Sequence, residues 1–361
     1  MDAPPTYTST TSPGTQAFSY SGPPGYPTHD PPPSYAFPQT FNIGKNRTNA
    51  PLVSSAQVKG HLALLHAFAK LRAEIDTLDD NTQRLLPFIP TDKDRRWAWF
   101  VGLAVDRFSV WCDSLRPGDS LSTADDFLPP LDVLMVWHAY MLNPGWYAED
   151  CIRIPILRFL AQVTPIFSSS LSSNLESILA GEPSSARLNS WQTRTGKAFQ
   201  PLEDAQRHQL RDVRCPKCCY PLTVPYMNAE GTGYLQQDFQ TQCMRSSCKN
   251  VPKITKFVLG ARKIAEDLAR SETDQVWFAL AGSIRTPQNS ADLERGKVIK
   301  QRVLQQIRLK KPESTEASQD WTVSIMEKNL YKIRHIRDAM AARMPAEGGT
   351  LYAQSPISHR A

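Results

Sequence analysis

Cys215-Pro216-Lys217-Cys218 and, after 24 intervening residues, Cys243-Met244-Arg245-Ser246-Ser247-Cys248 form the stretch from which the architecture of this chain is read. Within each segment the two cysteines are close enough to share one tight turn. A turn carrying two thiolates supplies half of a tetrahedral metal site, with sulfur about 2.3 Å from the ion. Two such turns close the tetrahedron and pin a small non-helical module. The chain has 7 cysteines, an odd number, and four of them fall in two short pairs. In a reducing compartment that pattern points to metal rather than disulfides. The expected ligands are Cys215, Cys218, Cys243 and Cys248, and the expected ion is a structural zinc, because four protein ligands leave no position for water or substrate. Cys219 competes with Cys218 on spacing alone.

Around these cysteines Pro221, Pro225, Gly231 and Gly233, with the alternating run Tyr234-Leu235-Gln236-Gln237-Asp238-Phe239, suit turns and short strands. Outside residues 211–254 the pattern is helical. Val58, Leu62, Leu65, Phe68, Leu71 and Ile75 recur at three- and four-residue steps, as do Trp97, Phe100, Ala104, Phe108, Trp111 and Leu115. Thr123 with Asp126 resembles a capping pair, Pro130 suits a first helical turn, and Asn143-Pro144 can end one helix and begin the next. Further helices are expected over Ile154–Phe167, Ser185–Thr195, Thr255–Ala269, Asp274–Ala281, Ala291–Lys311 and Thr322–Met344. The fold class is thus mainly α, a multi-helix body with a small zinc-ribbon-like β insertion. The expected divisions are a disordered arm over 1–50, a helical domain over 51–210, the zinc module over 211–254, C-terminal helices over 255–344 and a disordered tail over 345–361.

The arm is set apart by composition. Ten of the chain's 29 prolines and only four charged residues fall in the first fifty positions, too little apolar surface to offset the entropy of ordering. It holds three copies of Pro-Pro-x-Tyr: Pro4-Pro5-Thr6-Tyr7, Pro23-Pro24-Gly25-Tyr26 and Pro32-Pro33-Ser34-Tyr35. Proline-rich chain already favours the polyproline II helix, so docking into the aromatic groove of a WW domain costs little further order. Linked copies raise avidity by about a hundredfold or more against a partner with several WW domains; HECT-type ubiquitin ligases are partners of this kind. No signal peptide precedes the arm and no run reaches the length of a membrane span, which places the expected protein in the cytoplasm or nucleus.

The segment Leu131-Asp132-Val133-Leu134-Met135-Val136-Trp137-His138-Ala139-Tyr140-Met141-Leu142-Asn143-Pro144-Gly145-Trp146-Tyr147-Ala148-Glu149-Asp150-Cys151 resembles the signature of the glycine-rich domain-containing protein-like family, of plants and fungi. The matching positions are Asp132, Val133, Trp137, His138, Leu142, Pro144, Tyr147, Asp150 and Cys151. The resemblance extends to the flanking helices, from about Val58 to Phe167, and fungal members similarly carry a cysteine-pair insertion. It implies a helical domain of undefined activity, associated in some plant members with stress responses. Tyr140 stands where many members have a second histidine. His138, Asp132, Asp150 and Cys151 are the candidates for acid–base or ligand chemistry, against the alternative of a partly buried histidine held by hydrogen bonds.

The formal charge is +6, and the segment from Ile284 to Arg343 holds 13 Lys and Arg against 7 Asp and Glu, a difference equal to the whole excess. Arg295, Lys297, Lys300, Arg302, Arg308, Lys310 and Lys311 lie on an expected helix with an apolar stripe of Ile299, Val303 and Ile307, an arrangement that can bind phosphate backbones. No glycine-rich phosphate loop, nucleophile elbow or HExxH motif is present. The leading reading is a non-enzymatic binding or adaptor protein. A nucleic-acid binder using the zinc module and basic helices, and an enzyme centred on His138, are the alternatives.

Overall fold

The computed structural model describes residues 38, 40–86, 88–116, 128–173, 179, 182–248, 253–269, 279–286 and 288–307. The Pro-Pro-x-Tyr motifs at 4–35, Thr123 with Asp126, the basic positions 308–311, the expected helix over 322–344 and the tail lie outside the described residues. The chain divides into two compact units after Leu52. In the first, the last residues of the arm form a hairpin: Phe41–Ile43 (β1) pairs antiparallel with Asn46–Thr48 (β2). The turn passes through Gly44 at φ 58°, a left-handed conformation open to glycine.

The second unit is mainly helical. Its described residues form α1 (Ser55–Asp76), α2 (Asp80–Arg84), α3 (Lys93–Ser114), α4 (Leu131–Met141), α5 (Pro144–Arg153), α6 (Leu160–Ser173), α7 (Ser185–Thr195), α8 (Pro201–Arg207), α9 (Lys256–Ala269) and α10 (Leu293–Ile307). Helix starts follow local chemistry. Ser54 Oγ accepts from Gln57 N at 3.2 Å while Gln57 Oε1 accepts from Ser54 N at 2.8 Å, a reciprocal cap that satisfies two orphan donors. Asp92 caps α3 by accepting from Arg95 N at 2.9 Å.

The continuous helix expected over Ile154–Phe167 is not formed. Proline disfavours helical backbone at the residue before it, and Ile154, before Pro155, is extended at φ −103°, ψ 115°. The helix therefore stops at Arg153, a single 3-10 turn spans Pro155–Leu157, and α6 begins at Leu160. Of the helix expected over Asp274–Ala281 only 279–281 are described, and they are not helical; Ser283 N closes a turn onto Leu280 O at 3.2 Å.

The larger core lies where α3, α4 and α6 meet. Trp137 packs between Trp111, with ring centroids 5.2 Å apart, and Phe167, 5.0 Å apart. α1 crosses α6 closely enough that a Cβ on Gly60 would lie 1.8 Å from Leu171 O. That crossing selects which face of α1 is covered. Gly60, Leu64, Leu71 and Ile75 are buried, whereas Val58, Leu62 and Leu65, expected on the same inward stripe, are exposed. The α3 stripe matches its expectation more closely, with Phe100, Ala104, Phe108, Trp111 and Leu115 all buried. Among the described residues no single helix is long and apolar enough to cross a membrane.

Candidate metal centre

Leu210–Arg214 (β3) pairs antiparallel with Pro221–Pro225 (β4), and Cys215 and Cys218 occupy the connection between them. Gln240–Thr241 (β5) pairs with Ile254–Thr255 (β6), and Cys243 and Cys248 lie in that connection. Two hairpins thus present one cysteine pair each. The run Tyr234–Phe239, for which turns and short strands are expected, makes turns. Gln236 Oε1 accepts from Asn228 N at 3.0 Å and Gly233 N at 2.7 Å, and Asn228 Oδ1 accepts from Thr232 N at 2.8 Å. These side chains satisfy the backbone donors that a strand partner would otherwise take. At Gly233 a Cβ would lie 2.5 Å from Met227 Cα, so only glycine fits the return of the chain.

The four Sγ atoms lie within 4.8 Å of one another, with Cys215 to Cys248 at 4.0 Å and Cys218 to Cys243 at 3.6 Å. A regular tetrahedron with bonds near 2.3 Å has sulfur–sulfur edges of about 3.8 Å, so the cluster has the dimensions to hold a metal ion. Cys215 and Cys248 are buried, Cys218 and Cys243 partly so. Val213, Leu222, Val224, Tyr234, Phe239, Ile254 and Leu259 wrap the sulfurs in a small apolar core. Burial pushes the Cys248 thiol up to about 12 and raises Cys215 as well. At Cys218 the same burial effect is outweighed by the Tyr220 backbone N–H and by the neighbouring thiols, which bring it down to about 7. A bound cation must displace the remaining protons, so uptake releases acid and weakens as pH falls.

Cys219 stands outside the cluster. Its backbone is left-handed, at φ 58°, which lets its N–H close the turn on Cys215 O at 2.9 Å and carries its side chain away from the other sulfurs. Its Sγ faces Arg262 Nη2 at 3.5 Å. Arg262, buried on α9, also donates from Nη1 to Pro216 O at 2.6 Å, so one side chain from 43 to 46 residues downstream braces the first cysteine turn.

The module is locked to the helical body through α3. Asp106 accepts from the Arg211 guanidinium on β3 and from the Tyr226 hydroxyl. Arg211 also lies 4.1 Å from the centroid of the Tyr234 ring. One turn before Asp106, Gly102 leaves room for Leu235, whose Cδ1 would be 2.4 Å from a Cβ there. Tyr226 and Leu235 pack with Trp99, Phe100, Leu103 and Ala205. Asp106 has no local signal in the sequence, since its partners are more than 100 residues distant; Arg262 pairs locally with Glu266, but its contacts with the cysteine turn span more than 40 residues.

The four candidates of the Leu131–Cys151 segment have separate partners. Asp132 is buried and accepts from Arg107 Nε at 2.7 Å; Arg107 also meets Asp204 at 3.2 Å and the carbonyls of Ala198 and Phe199, each at 2.8 Å. Asp150, fully buried, accepts from the Tyr140 hydroxyl and from Arg153 Nε, the latter at 2.6 Å. Cys151 is buried, and burial pushes its thiol up to about 12, leaving it a poor nucleophile. Trp137 Nε1 donates to Tyr147 Oη at 3.0 Å, and Tyr147 Oη meets Thr164 Oγ1 at 2.7 Å. His138 turns the other way, toward α1. Its Nε2 lies 2.9 Å from His61 Nε2, and Phe68 packs on its ring at 5.5 Å. Burial and then the neighbouring His61 hold the His138 imidazole below its ordinary range.

The basic helix is less free than its sequence implies. On α10 Ile299 and Val303 are buried as expected, but Lys300 is buried with them, Arg295 Nη1 donates to Ser283 O at 2.8 Å, and Lys297 pairs with Glu294 at 2.6 Å. Comparison of the chain with protein-family models, with curated proteins and with solved structures gives no match.

Proposed function

We propose that this chain is a non-enzymatic binding or adaptor protein, in which a structural zinc ion shapes the hairpin module and the three Pro-Pro-x-Tyr motifs recruit WW-domain partners, HECT-type ubiquitin ligases among them. The observation that supports it is the closure of the cysteine cluster: four sulfurs within 4.8 Å of one another, wrapped by apolar side chains, with no further His, Cys, Asp or Glu donor in the cluster among the described residues. Zinc suits four thiolates in a closed tetrahedron and contributes there to folding rather than to substrate chemistry. The membership of the glycine-rich domain-containing protein-like family belongs to the same reading and rests on the residues of the Leu131–Cys151 segment. The buried ion pairs of Asp132 and Asp150 speak for architecture rather than catalysis, and the engagement of Arg295 and burial of Lys300 weaken the case for a phosphate-binding face.

The test is a pull-down of the full chain with a tandem WW-domain protein, paired with metal analysis. The expected result is about one zinc per chain and capture that is lost when Tyr7, Tyr26 and Tyr35 are changed to Ala. Capture unaffected by those changes would remove the adaptor reading. A protein that carries iron, or that keeps its fold without metal, would remove structural zinc.

A further inference from the structure

The metal end of the hairpin module has a charge pattern of its own. Residues 213–229 and 239–265 hold 8 Lys and Arg and no Asp or Glu. Two of the 8, Arg262 and Lys263, pair with Glu266 and Asp267 along α9. Chain geometry gathers most of the others. Arg214 faces Pro221 across the β3–β4 register and Cys215 N donates to Tyr220 O at 2.9 Å, so Arg214 and Tyr220 stand at the feet of the first cysteine turn, with Lys217 inside it. In the second hairpin Ile254 pairs with Thr241, which sets Lys253 across from the approach to Cys243, and Met244 and Arg245 follow within the turn. The four sulfurs lie within 4.8 Å of one another, so the two turns meet and these six residues surround one centre.

All six are exposed, Tyr220 by 42% and Met244 by 82%. Among the described residues none of Arg214, Lys217, Arg245 and Lys253 joins an ion pair. A zinc ion held by four thiolates carries a net charge of about −2, so four cations around it leave this end positive by about two charges. Cations that reach phosphates, interleaved with a ring and a thioether that pack on flat bases, are what an unpaired strand requires. A duplex is a poorer fit, because its bases are stacked inside and the turns at this end offer neither helix nor ribbon to a groove. An acidic peptide would meet the cations but leave Tyr220 without a flat partner.

We propose that the metal end of the hairpin module binds single-stranded nucleic acid, with Arg214, Lys217, Arg245 and Lys253 on the phosphates and Tyr220 stacked on a base. The basic face of α10 takes no part in it. The inference rests on the reading of the cysteine cluster as a loaded metal centre, because the ion holds the two turns side by side.

The experiment follows fluorescence anisotropy of labelled oligouridylate, oligodeoxythymidylate and a duplex of equal length with the full-length, metal-loaded protein, and measures the metal content of every variant. Both single strands are expected to bind more tightly than the duplex, and the tighter of the two identifies RNA or DNA as the ligand. Four phosphate contacts give a salt slope of about −2.8, so doubling the salt weakens binding about sevenfold. Tyr220→Ala should weaken it about fivefold or more. Arg245→Gln combined with Lys253→Gln should reduce the slope by about 1.4. Arg302→Gln, at an exposed position of α10, should leave affinity and slope unchanged. Tyr220 and Arg245 belong to different hairpins, so a variant that loses its metal leaves the other to decide. The proposal is overturned, with the metal centre left standing, if the metal-loaded protein binds no single strand or prefers the duplex. Equal displacement by polyglutamate or phosphatidylserine vesicles, or undiminished binding by the metal-loaded variants, has the same meaning. A chain that folds without metal removes both readings together.

Discussion

Replacing Asp106 with Ala should loosen the attachment of the hairpin module to α3, and the cost can be worked from its surroundings. Its carboxylate accepts from Arg211 and from the Tyr226 hydroxyl. The Arg211 side chain is 11% exposed and that of Asp106 29%. Removing one partner of a fully buried pair costs about 3–5 kcal/mol, and an exposed pair is worth about 0–1 kcal/mol. The partial exposure of Asp106 moves the ionic share toward the middle of that span, about 2 kcal/mol. The Tyr226 hydroxyl, buried and deprived of its acceptor, adds about 1 kcal/mol. The sum is about 3 kcal/mol, which for a unit of this size lowers the melting midpoint by about 6 °C. Thermal unfolding of the metal-loaded protein followed by circular dichroism measures the midpoint, and urea unfolding the free energy. A double-mutant cycle with Tyr226→Phe should return a coupling of about 1 kcal/mol. A midpoint within about 1 °C of the wild type, or strict additivity in the cycle, would refute the account of how the module is fastened.

Gly60→Ala is expected to destabilise by about 1–3 kcal/mol, read from the urea midpoint, because the new methyl meets the Leu171 carbonyl of the α6 backbone; helix propensity alone predicts a gain of about 1 kcal/mol, so the sign of the change discriminates. Cys218→Ser should abolish stoichiometric metal binding while Cys219→Ser retains it, since only the former sulfur belongs to the cluster. Metal content by elemental analysis separates the two, and equal loss in both would contradict the assignment.

What the sequence made legible depended on how far each signal reaches along the chain. The cysteine pairs carry their own geometry in their spacing, and the α3 stripe from Phe100 to Leu115 is a local periodicity that tertiary packing respects. On α1 the periodicity was ambiguous, because Leu64 and Leu65 lie on diverging faces and both faces are apolar. The close crossing at Gly60 decides between them, and that is a property of α6, more than 100 residues away. Pro155 is a local signal of a break that the apolar run on either side of it masks. Sequence proximity groups His138 with Asp150 and Cys151; burial commits those two to other contacts, and the nitrogen that meets His138 comes from α1. Asp106, Arg211 and Tyr226 are ordinary residues in ordinary contexts until folding brings them together.

Leu235 belongs to two interiors at once, touching the apolar shell of the cysteine centre and the Trp99–Phe100 cluster under α3. A side chain shared in this way would tie the fate of a bound metal to the fate of the helices. Escape of a bound ion would withdraw Leu235 from beside Gly102 and leave a hollow in the neighbouring cluster, so the two are expected to melt in one cooperative event. A scanning calorimeter should record a single endotherm, and starvation for the ion would expose helical surface to proteases well beyond the segment that holds it.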